Sequence, residues 1–145
     1  MAHRNPPDND IRQLLTSAST IAVVGASSNP ERPSHGIMGR LLQLGYTVIP
    51  VNPNETTVLG QTAYASLADV PVPIDIVDVF RRASFTPAIA DAAVKVHAKA
   101  LWLQQGVTNE DAAARATAGG LTVVMDACLA GERARLPVPP RPRRT

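Results

Sequence analysis

The sequence has few aromatic residues, one cysteine and no long apolar run. Aromatic residues make up 3% of the 145 residues while apolar residues make up 45%, so the core of this single domain is expected to be aliphatic. One cysteine excludes an internal disulfide, which fits a reducing compartment. No run approaches the ~18 apolar residues of a membrane span, and the N-terminus lacks a signal-peptide core. We therefore expect a cytoplasmic protein that does not enter a membrane.

Positive charge is concentrated at the C-terminus. Residues 131–145 hold five arginines and one glutamate, whereas the rest of the chain holds nine basic and eleven acidic residues. Because no aromatic residues interleave with these arginines and the body has no basic face, we do not expect nucleic-acid binding. The composition predicts a disordered segment at 1–7, one domain at 8–136 and a Pro/Arg-rich tail at 137–145.

Short apolar segments alternate with segments of helical periodicity. Asp8 or Asn9 is predicted to cap a first helix, and Asn109 a later one. The pattern indicates βαβ units, so we predict an α/β, Rossmann-like, doubly wound fold with a mainly parallel five-stranded sheet and flanking helices. The predicted strands are Ile21–Val24, Tyr46–Val51, Ile74–Phe80, Ala100–Leu103 and Leu121–Met125.

Three residues within these strands need comment. Pro50 lacks the N–H that a strand pair uses, which suggests that pairing is already ending there. Asp75 and Asp78 are expected near the ends of the third strand or on a polar surface.

Polar, turn-forming segments follow four of the strands. A parallel sheet binds ligands beyond the carboxyl ends of its strands, so these segments are expected to converge on one site. The first segment leads from a strand into a helix, an arrangement that holds phosphate. The four segments are Gly25–Ser28, Asn52–Asn54, Phe80–Arg82 and Gln104–Gly106.

The loop at Gly25 lacks the dinucleotide fingerprint. The pattern G-x-G-x-x-G would need glycine where Ser27 stands, and Asn52 and Pro53 stand where NAD-binding proteins have an acid for the ribose hydroxyls. A Walker lysine is absent as well, which excludes a P-loop. One alternative is that this loop is only a tight connection between strand and helix.

Five segments together resemble the stand-alone CoA-binding domain family, which is similar to the N-terminal CoA-binding domain of the succinyl-CoA synthetase alpha subunit. They lie between about Ile11 and Leu136 in the family's order. The resemblance implies a Rossmann-like fold that binds coenzyme A or an acyl-CoA rather than a dinucleotide. The segments are 24–34 (VGASSNPERPS), 45–53 (GYTVIPVNP), 77–82 (VDVFRR), 101–107 (LWLQQGV) and 124–128 (VMDAC).

The resemblance also implies roles for individual residues. Those that would hold the CoA phosphates are Gly25, Ala26, Ser27 and Ser28. Those that would flank the adenosine are Val51, Asn52 and Pro53. Those that would line the channel beyond the third and fourth strands are Val79, Phe80, Arg81, Gln104 and Gly106.

Arginines near the loop are candidate phosphate partners, because a guanidinium group pairs phosphate oxygens bidentately. We favour Arg32 and Arg81 over Arg40 and Arg82 by position. The chain departs from the family after the Asn-Pro turn, where relatives commonly carry a basic residue. Here Asn54 and Glu55 follow Pro53.

The sequence offers little for catalysis. Cys128 has no motif partner of catalytic type, so we interpret it as a structural thiol, with a mixed disulfide to the CoA thiol as the alternative. His3, His35 and His97 are too scattered for a metal site. We expect a non-catalytic, CoA- or acyl-CoA-binding protein. The alternatives are an NAD(P)-binding enzyme or subunit, and a regulatory protein that has lost its ligand; a protein partner or homo-oligomer stays open.

Overall fold

The computed structural model describes residues 2–139 as strands and helices in alternating order, which confirms the α/β class. The strands are β1 Thr20–Val24, β2 Thr47–Val51, β3 Thr57–Val58, β4 Gln61–Thr62, β5 Ile76–Val79, β6 Ala100–Leu103 and β7 Thr122–Val124. The α-helices are α1 Asp8–Ser17, α2 Pro33–Gln43, α3 Thr86–Lys95, α4 Glu110–Ala118 and α5 Leu129–Arg135. Short 3₁₀ turns cover Leu67–Asp69 and Ala83–Phe85.

Five strands form a parallel sheet in the order β2-β1-β5-β6-β7. The chain first builds outward from β1 to β2 and then, on the other side of β1, through β5, β6 and β7. The direction of winding thus changes between β1 and β5, and such a switch point leaves a crevice beyond the carboxyl ends of the two strands. Gly25 follows β1 and Phe80 follows β5, so these residues lie at the crevice.

The sheet is covered on both faces, as predicted for a doubly wound fold. Ile21 and Val23 pack in one core cluster with residues of α1, α2 and α5. Ala22 and Val24 pack in the other with residues of α3 and α4. Because successive strand residues point to opposite faces, burial of both faces explains why the strands are apolar throughout rather than alternating.

Pro50 lies within β2, an edge strand of the main sheet. Its carbonyl accepts a hydrogen bond of 3.0 Å from the Tyr64 N–H, so the polar side of its backbone faces Tyr64 and not β1. The missing N–H therefore removes no bond to β1, and pairing continues to Val24 and Val51. The prediction that pairing ends at Pro50 is wrong for this reason.

One further expectation needs correction, and another is confirmed. Pro7 is the N-cap of α1, and no side chain among the described residues caps this helix, so the prediction of Asp8 or Asn9 as the cap is wrong. Asp78 is the next-to-last residue of β5, near the strand end as expected, and it is fully buried rather than on a polar surface. Asp75 precedes that strand and accepts hydrogen bonds from the N–H groups of Ser19 and Thr20 at 2.7 and 2.9 Å.

Two elements have no counterpart in the sequence prediction. β3 and β4 form a hairpin whose turn residues, Leu59 and Gly60, have φ values of 50° and 77°. Positive φ at both positions is typical of a type I′ turn, which asparagine-glycine usually signals and leucine-glycine does not. The second element is α5, whose Leu129 is fully buried in the core.

Contacts extend to both ends of the described chain. The Asn5 side chain exchanges two hydrogen bonds of 2.8 Å with the Met125 backbone. Near the other end, Leu136 is buried and Val138 packs against the core. The domain limits of 8–136 stay a prediction, and positions 140–145 of the expected tail lie outside the described residues.

Candidate functional site

The crevice at the switch point depends on a glycine. Gly25 has a φ of 89°, and a Cβ at this position would lie 2.5 Å from the Phe80 carbonyl oxygen. An L-side chain therefore fits neither the backbone conformation nor the space. Gly25 lets the loop after β1 pass directly against the loop after β5.

The N-terminus of α2 opens into the same crevice. Arg32 is its N-cap, Pro33 occupies the first turn, and within the described part of the chain no side chain caps the helix. The first turn contains no acidic residue either, so no internal carboxylate neutralises the positive end of the helix dipole. N–H groups and a dipole in this arrangement favour an anion.

A cavity of about 1010 Å³ occupies the crevice, at the upper end of the size range of small-molecule sites. It is bounded by the four predicted segments and by α2, the second 3₁₀ turn and the N-cap of α5. Its lining residues are Gly25, Ser27, Arg32, Pro33, Ser34, Ile37, Asn52, Pro53, Asn54, Phe80, Arg81, Arg82, Phe85, Gln104, Gln105, Val107 and Cys128.

Eight of the thirteen residues predicted for the site line this cavity: Gly25, Ser27, Arg32, Asn52, Pro53, Phe80, Arg81 and Gln104. Ala26 and Val79 are fully buried in the core. Val51 lines a smaller neighbouring cavity, and Ser28 lies exposed on the loop after Ser27. The Gly106 N–H donates to Asp126 at 2.7 Å.

Three exposed arginines, Arg32, Arg81 and Arg82, stand at the cavity. Within residues 2–139, none of the three forms an ion pair with a carboxylate. The Arg81 guanidinium stacks over the Phe85 ring, 4.4 Å from its centroid, which restrains this side chain at the cavity mouth. The rim is therefore positively charged and not internally neutralised.

The smaller cavity, of about 270 Å³, shares Pro53, Arg81 and Phe85 with the larger one. The rest of its lining is mainly aliphatic: Val24, Val51, Ala65, Ser66, Leu67, Ala88, Ile89 and Ala92. An apolar recess thus adjoins a cationic rim, which suits a ligand that carries both an apolar ring and phosphates.

A buried carboxyl group supports the floor of the larger cavity. The Gln104 side chain donates through Nε2 to Oδ1 of Asp78, and the other oxygen, Oδ2, has no hydrogen-bond partner among the described residues. Burial raises the pKa of Asp78 to about 7, and the bond from Gln104 opposes this rise only in part. Since Nε2 is committed to Asp78, the amide oxygen of Gln104 is left to accept from a ligand.

The loops after β1 and β2 are joined by side-chain hydrogen bonds. Asn52 donates through Nδ2 to the Ala26 carbonyl at 2.8 Å. Ser28 donates to the Glu55 carboxylate twice, through its backbone N–H and through Oγ, the latter at 3.0 Å. A carboxylate of the chain itself therefore occupies two donors of the predicted phosphate loop.

Several residues that line the cavity were not predicted as site residues from the sequence. Arg82 and Asn54 lie in the strand-end segments already identified, so their position in the sequence was a signal. Cys128 lies at the N-cap of α5, and Phe85 lies in a 3₁₀ turn. Cys128 lies in the family segment 124–128, which was a signal for it, whereas the 3₁₀ turn that holds Phe85 was not predicted.

The described residues provide neither a metal-binding cluster nor a membrane-spanning helix. Across residues 2–139, no group of three or more His, Cys, Asp or Glu side chains could hold a metal ion. No helix in that range is long and apolar enough to cross a membrane.

Comparison with known proteins shows that one protein family matches most of the chain. The family model described as "CoA binding domain" matches residues 19–134. An uncharacterized protein of Bacillus subtilis, YneT, is 40% identical over 126 residues, which are 87% of this chain and 93% of the relative. The predicted resemblance to the stand-alone CoA-binding domain family is therefore confirmed.

Two further relatives extend the comparison. A hypothetical protein from Pyrococcus horikoshii has a solved structure that superimposes with a TM-score of 0.89 and 39% identity, over 94% of this chain and 98% of that one. An ADP-forming acetate–CoA ligase of Archaeoglobus fulgidus is 32% identical over 104 residues. That match spans 70% of this chain but only 15% of the ligase, so the fold also occurs as a small part of a larger enzyme.

Proposed function

The chain belongs to the CoA-binding domain family, and on that premise we propose that it binds coenzyme A or an acyl-CoA at the cavity between β1 and β5. The observation that carries this proposal is the convergence of three anion-binding features on one cavity. These features are the loop at Gly25, the uncapped N-terminus of α2 and the unpaired arginines. Coenzyme A is an elongated ligand with a pyrophosphate and a 3′-phosphate, which this arrangement suits.

The cavity suggests how the ligand lies. The pyrophosphate is assigned to the Gly25–Ser28 loop and the α2 N-terminus, where N–H groups and the helix dipole favour it. The adenosine is assigned to the region of Val51, Asn52 and Pro53, beside the apolar recess. The pantetheine arm is assigned to the wall formed by Gln104, whose amide oxygen suits an amide N–H of that arm.

We further propose that the protein binds its ligand without converting it. General acid–base catalysis needs a titrating group at the reacting atoms. Among the described residues that line the cavity, none is His, Asp, Glu or Lys, and Cys128 is the only nucleophilic thiol. This lining supports a role in sensing, storing or delivering CoA, and the same family fold within a ligase is accompanied there by a far longer chain.

Calorimetry and thermal unfolding with CoA, acetyl-CoA, dephospho-CoA and NAD in parallel test the proposal. At a concentration of 100 times its Kd, a ligand stabilises the folded protein by about 2.7 kcal/mol, which thermal unfolding detects easily. We expect CoA or acetyl-CoA to do so. A response to NAD alone contradicts the proposal and favours the dinucleotide alternative; no response to any of them favours a protein that has lost its ligand.

A substitution tests the proposed contact between Arg81 and a phosphate of the ligand. Arg81→Ala removes a guanidinium from the cavity mouth, and we expect CoA affinity to fall about tenfold because a charge-assisted bond to phosphate is lost. Arg40→Ala is the matched control, since Arg40 is an exposed arginine of α2 that does not line the cavity. Equal effects of both substitutions would show a general charge effect and contradict a contact from Arg81.

A further inference from the structure

The loop assigned to the ligand's pyrophosphate already holds an anion. Glu55 accepts hydrogen bonds from the backbone N–H and the Oγ of Ser28, with 3.0 Å between Oγ and Oε1. An amide N–H and a hydroxyl on one residue are the donors that a phosphate oxygen would use in such a loop. The carboxylate therefore occupies two donors that the proposed function assigns to a ligand phosphate.

A turn that is itself fastened to the loop presents Glu55. Asn52 donates through Nδ2 to Ala26 at 2.8 Å, and its backbone carbonyl accepts from the Glu55 N–H at 3.2 Å. The Asn54 N–H donates to Oδ1 of Asn52 at 2.9 Å, which rigidifies the same turn. Glu55 is half-buried there, so its contact with Ser28 is part of a fixed arrangement between the loops after β1 and β2.

A ligand phosphate and the Glu55 carboxylate compete for the same donors. The Ser28 N–H has one hydrogen to give and its hydroxyl has one more, so both cannot serve two anions at full strength. A ligand that binds to Ser28 must break two charge-assisted bonds and then lie close to the released carboxylate, which repels it. Binding at this loop is thus an exchange of one anion for another.

We propose that Glu55 is a specificity-determining residue that acts as an internal competitor for phosphate at Ser28. This inference rests on the proposed function, which assigns the pyrophosphate to the same loop. Displacing the carboxylate has a free-energy cost, and a weakly held anion such as free phosphate does not offset it. A ligand that also contacts the arginines and the apolar recess offsets this cost through those contacts. At concentrations near the Kd that the fragment would have without this competitor, the cost leaves the loop largely unoccupied by the phosphate fragment, whereas the whole nucleotide, with its further contacts, still binds.

Neutralising Glu55 tests this directly. In Glu55→Gln the side chain keeps its size and its amide oxygen still accepts from Ser28, but the charge is gone. We expect the Kd for CoA and for inorganic pyrophosphate, measured by calorimetry at low salt, to fall about tenfold or more. The two Kd values are expected to fall by a similar factor, because both ligands displace the same carboxylate from Ser28.

Glu31→Gln is the matched control, because Glu31 is an exposed acid between the same loop and α2, and its carboxylate forms no hydrogen bond with Ser28. We expect its affinities to stay within about twofold of those of the unmodified protein. Glu55→Ala, which removes the acceptor altogether, is a second variant in which the same gain is expected. An equal gain in the Glu31 and Glu55 variants would reduce the effect to general charge and overturn the proposal.

The outcomes separate this inference from the proposed function. If the unmodified protein binds CoA and Glu55→Gln binds it with the same Kd, the internal competitor is wrong and the CoA site stands. If pyrophosphate binds more tightly to Glu55→Gln but CoA binds to neither protein, the competitor stands and the CoA proposal fails. If neither protein binds CoA or pyrophosphate, the loop holds no phosphate and both are wrong.

Discussion

Asp78 is a fully buried carboxyl group, and among residues 2–139 only one of its oxygens has a hydrogen-bond partner. Burial without a cationic partner destabilises the ionised form, which is why the pKa of Asp78 rises to about 7. Asp75, only three residues earlier, has a different environment. Partial burial acts to raise its pKa, but the Thr20 and Ser19 N–H groups and Lys99 outweigh this and hold its pKa below the ordinary value.

The raised pKa makes stability depend on pH with a definite sign. Between about pH 4 and pH 7 the unfolded chain releases the Asp78 proton while the folded protein keeps it, so the free energy of unfolding falls as the pH rises through this window. Asp78→Asn mimics the neutral carboxyl group at every pH. We expect this variant to be more stable than the unmodified protein at pH 8, by about 2–4 kcal/mol, and nearly equal at pH 4.

Urea unfolding at pH 4, 6 and 8 measures the difference. Asp10→Asn is the control, because Asp10 is an exposed carboxylate of α1. A difference between Asp78→Asn and the unmodified protein that does not change with pH would show that Asp78 is not neutral in the folded protein. A lower stability of Asp78→Asn at pH 8 would contradict the prediction outright.

At the scale of elements, the site depends on how closely two strand-end loops approach. Gly25 permits this approach through its positive φ and through the absence of a Cβ, which would meet the Phe80 carbonyl at 2.5 Å. The glycines of α2 have no such constraint. A Cβ on Gly36 meets no atom within 4 Å.

Substitution by alanine is expected to have opposite effects on stability at Gly25 and at Gly36. Gly25→Ala imposes a strained conformation and a backbone clash, and we expect it to lower the free energy of unfolding by about 2 kcal/mol or more and to weaken CoA binding. Gly36→Ala is the control and is expected to raise stability by up to about 1 kcal/mol, because alanine is the better helix former. Thermal unfolding and calorimetry of both variants provide the test. An undisturbed Gly25→Ala protein would contradict the close approach of the loops.

For the whole molecule, the two ends of the described chain complete the core. Leu136 is buried among residues of the cluster that also contains Ile11 and Leu15 of α1. Arg135 reinforces this junction with a bidentate ion pair to Asp8 at 3.0 and 2.9 Å. Since both groups of that pair are exposed, the apolar contact contributes most of the stabilisation.

Truncation of Leu136 tests whether the core extends to this point. Leu136→Ala removes a buried side chain, and we expect the free energy of unfolding to fall by about 2–4 kcal/mol. Leu59→Ala is the control, because Leu59 is 39% exposed at a hairpin turn and its truncation removes less buried area than truncation of Leu136, which is 6% exposed. If the free energy of unfolding, measured in urea, falls by the same small amount in both variants, the cooperatively folded core ends before Leu136.

Several features were decided by residue type and order alone. The five β-branched or aliphatic runs predicted the five strands, and the glycine after β1 predicted a loop between that strand and α2, because these are local preferences of the backbone. Asn109 was predicted as a cap and does accept from the Ala112 N–H at 2.9 Å. Motif order also identified the family, which the match over residues 19–134 confirms.

Other features depend on partners that lie far apart in the sequence. Whether Pro50 interrupts the sheet depends on β2 lying at the edge, and whether Asp78 is solvated depends on what covers its strand. The sequence does not show that Glu55 contacts Ser28, which lies 27 residues away; the fold brings these two residues together. Backbone preferences act over a few residues, so the sequence by itself determined the helices, the strands and the loop after β1. Contacts between residues far apart in the sequence determined which hydrogen-bond donors of that loop are free, and only the tertiary structure shows those contacts.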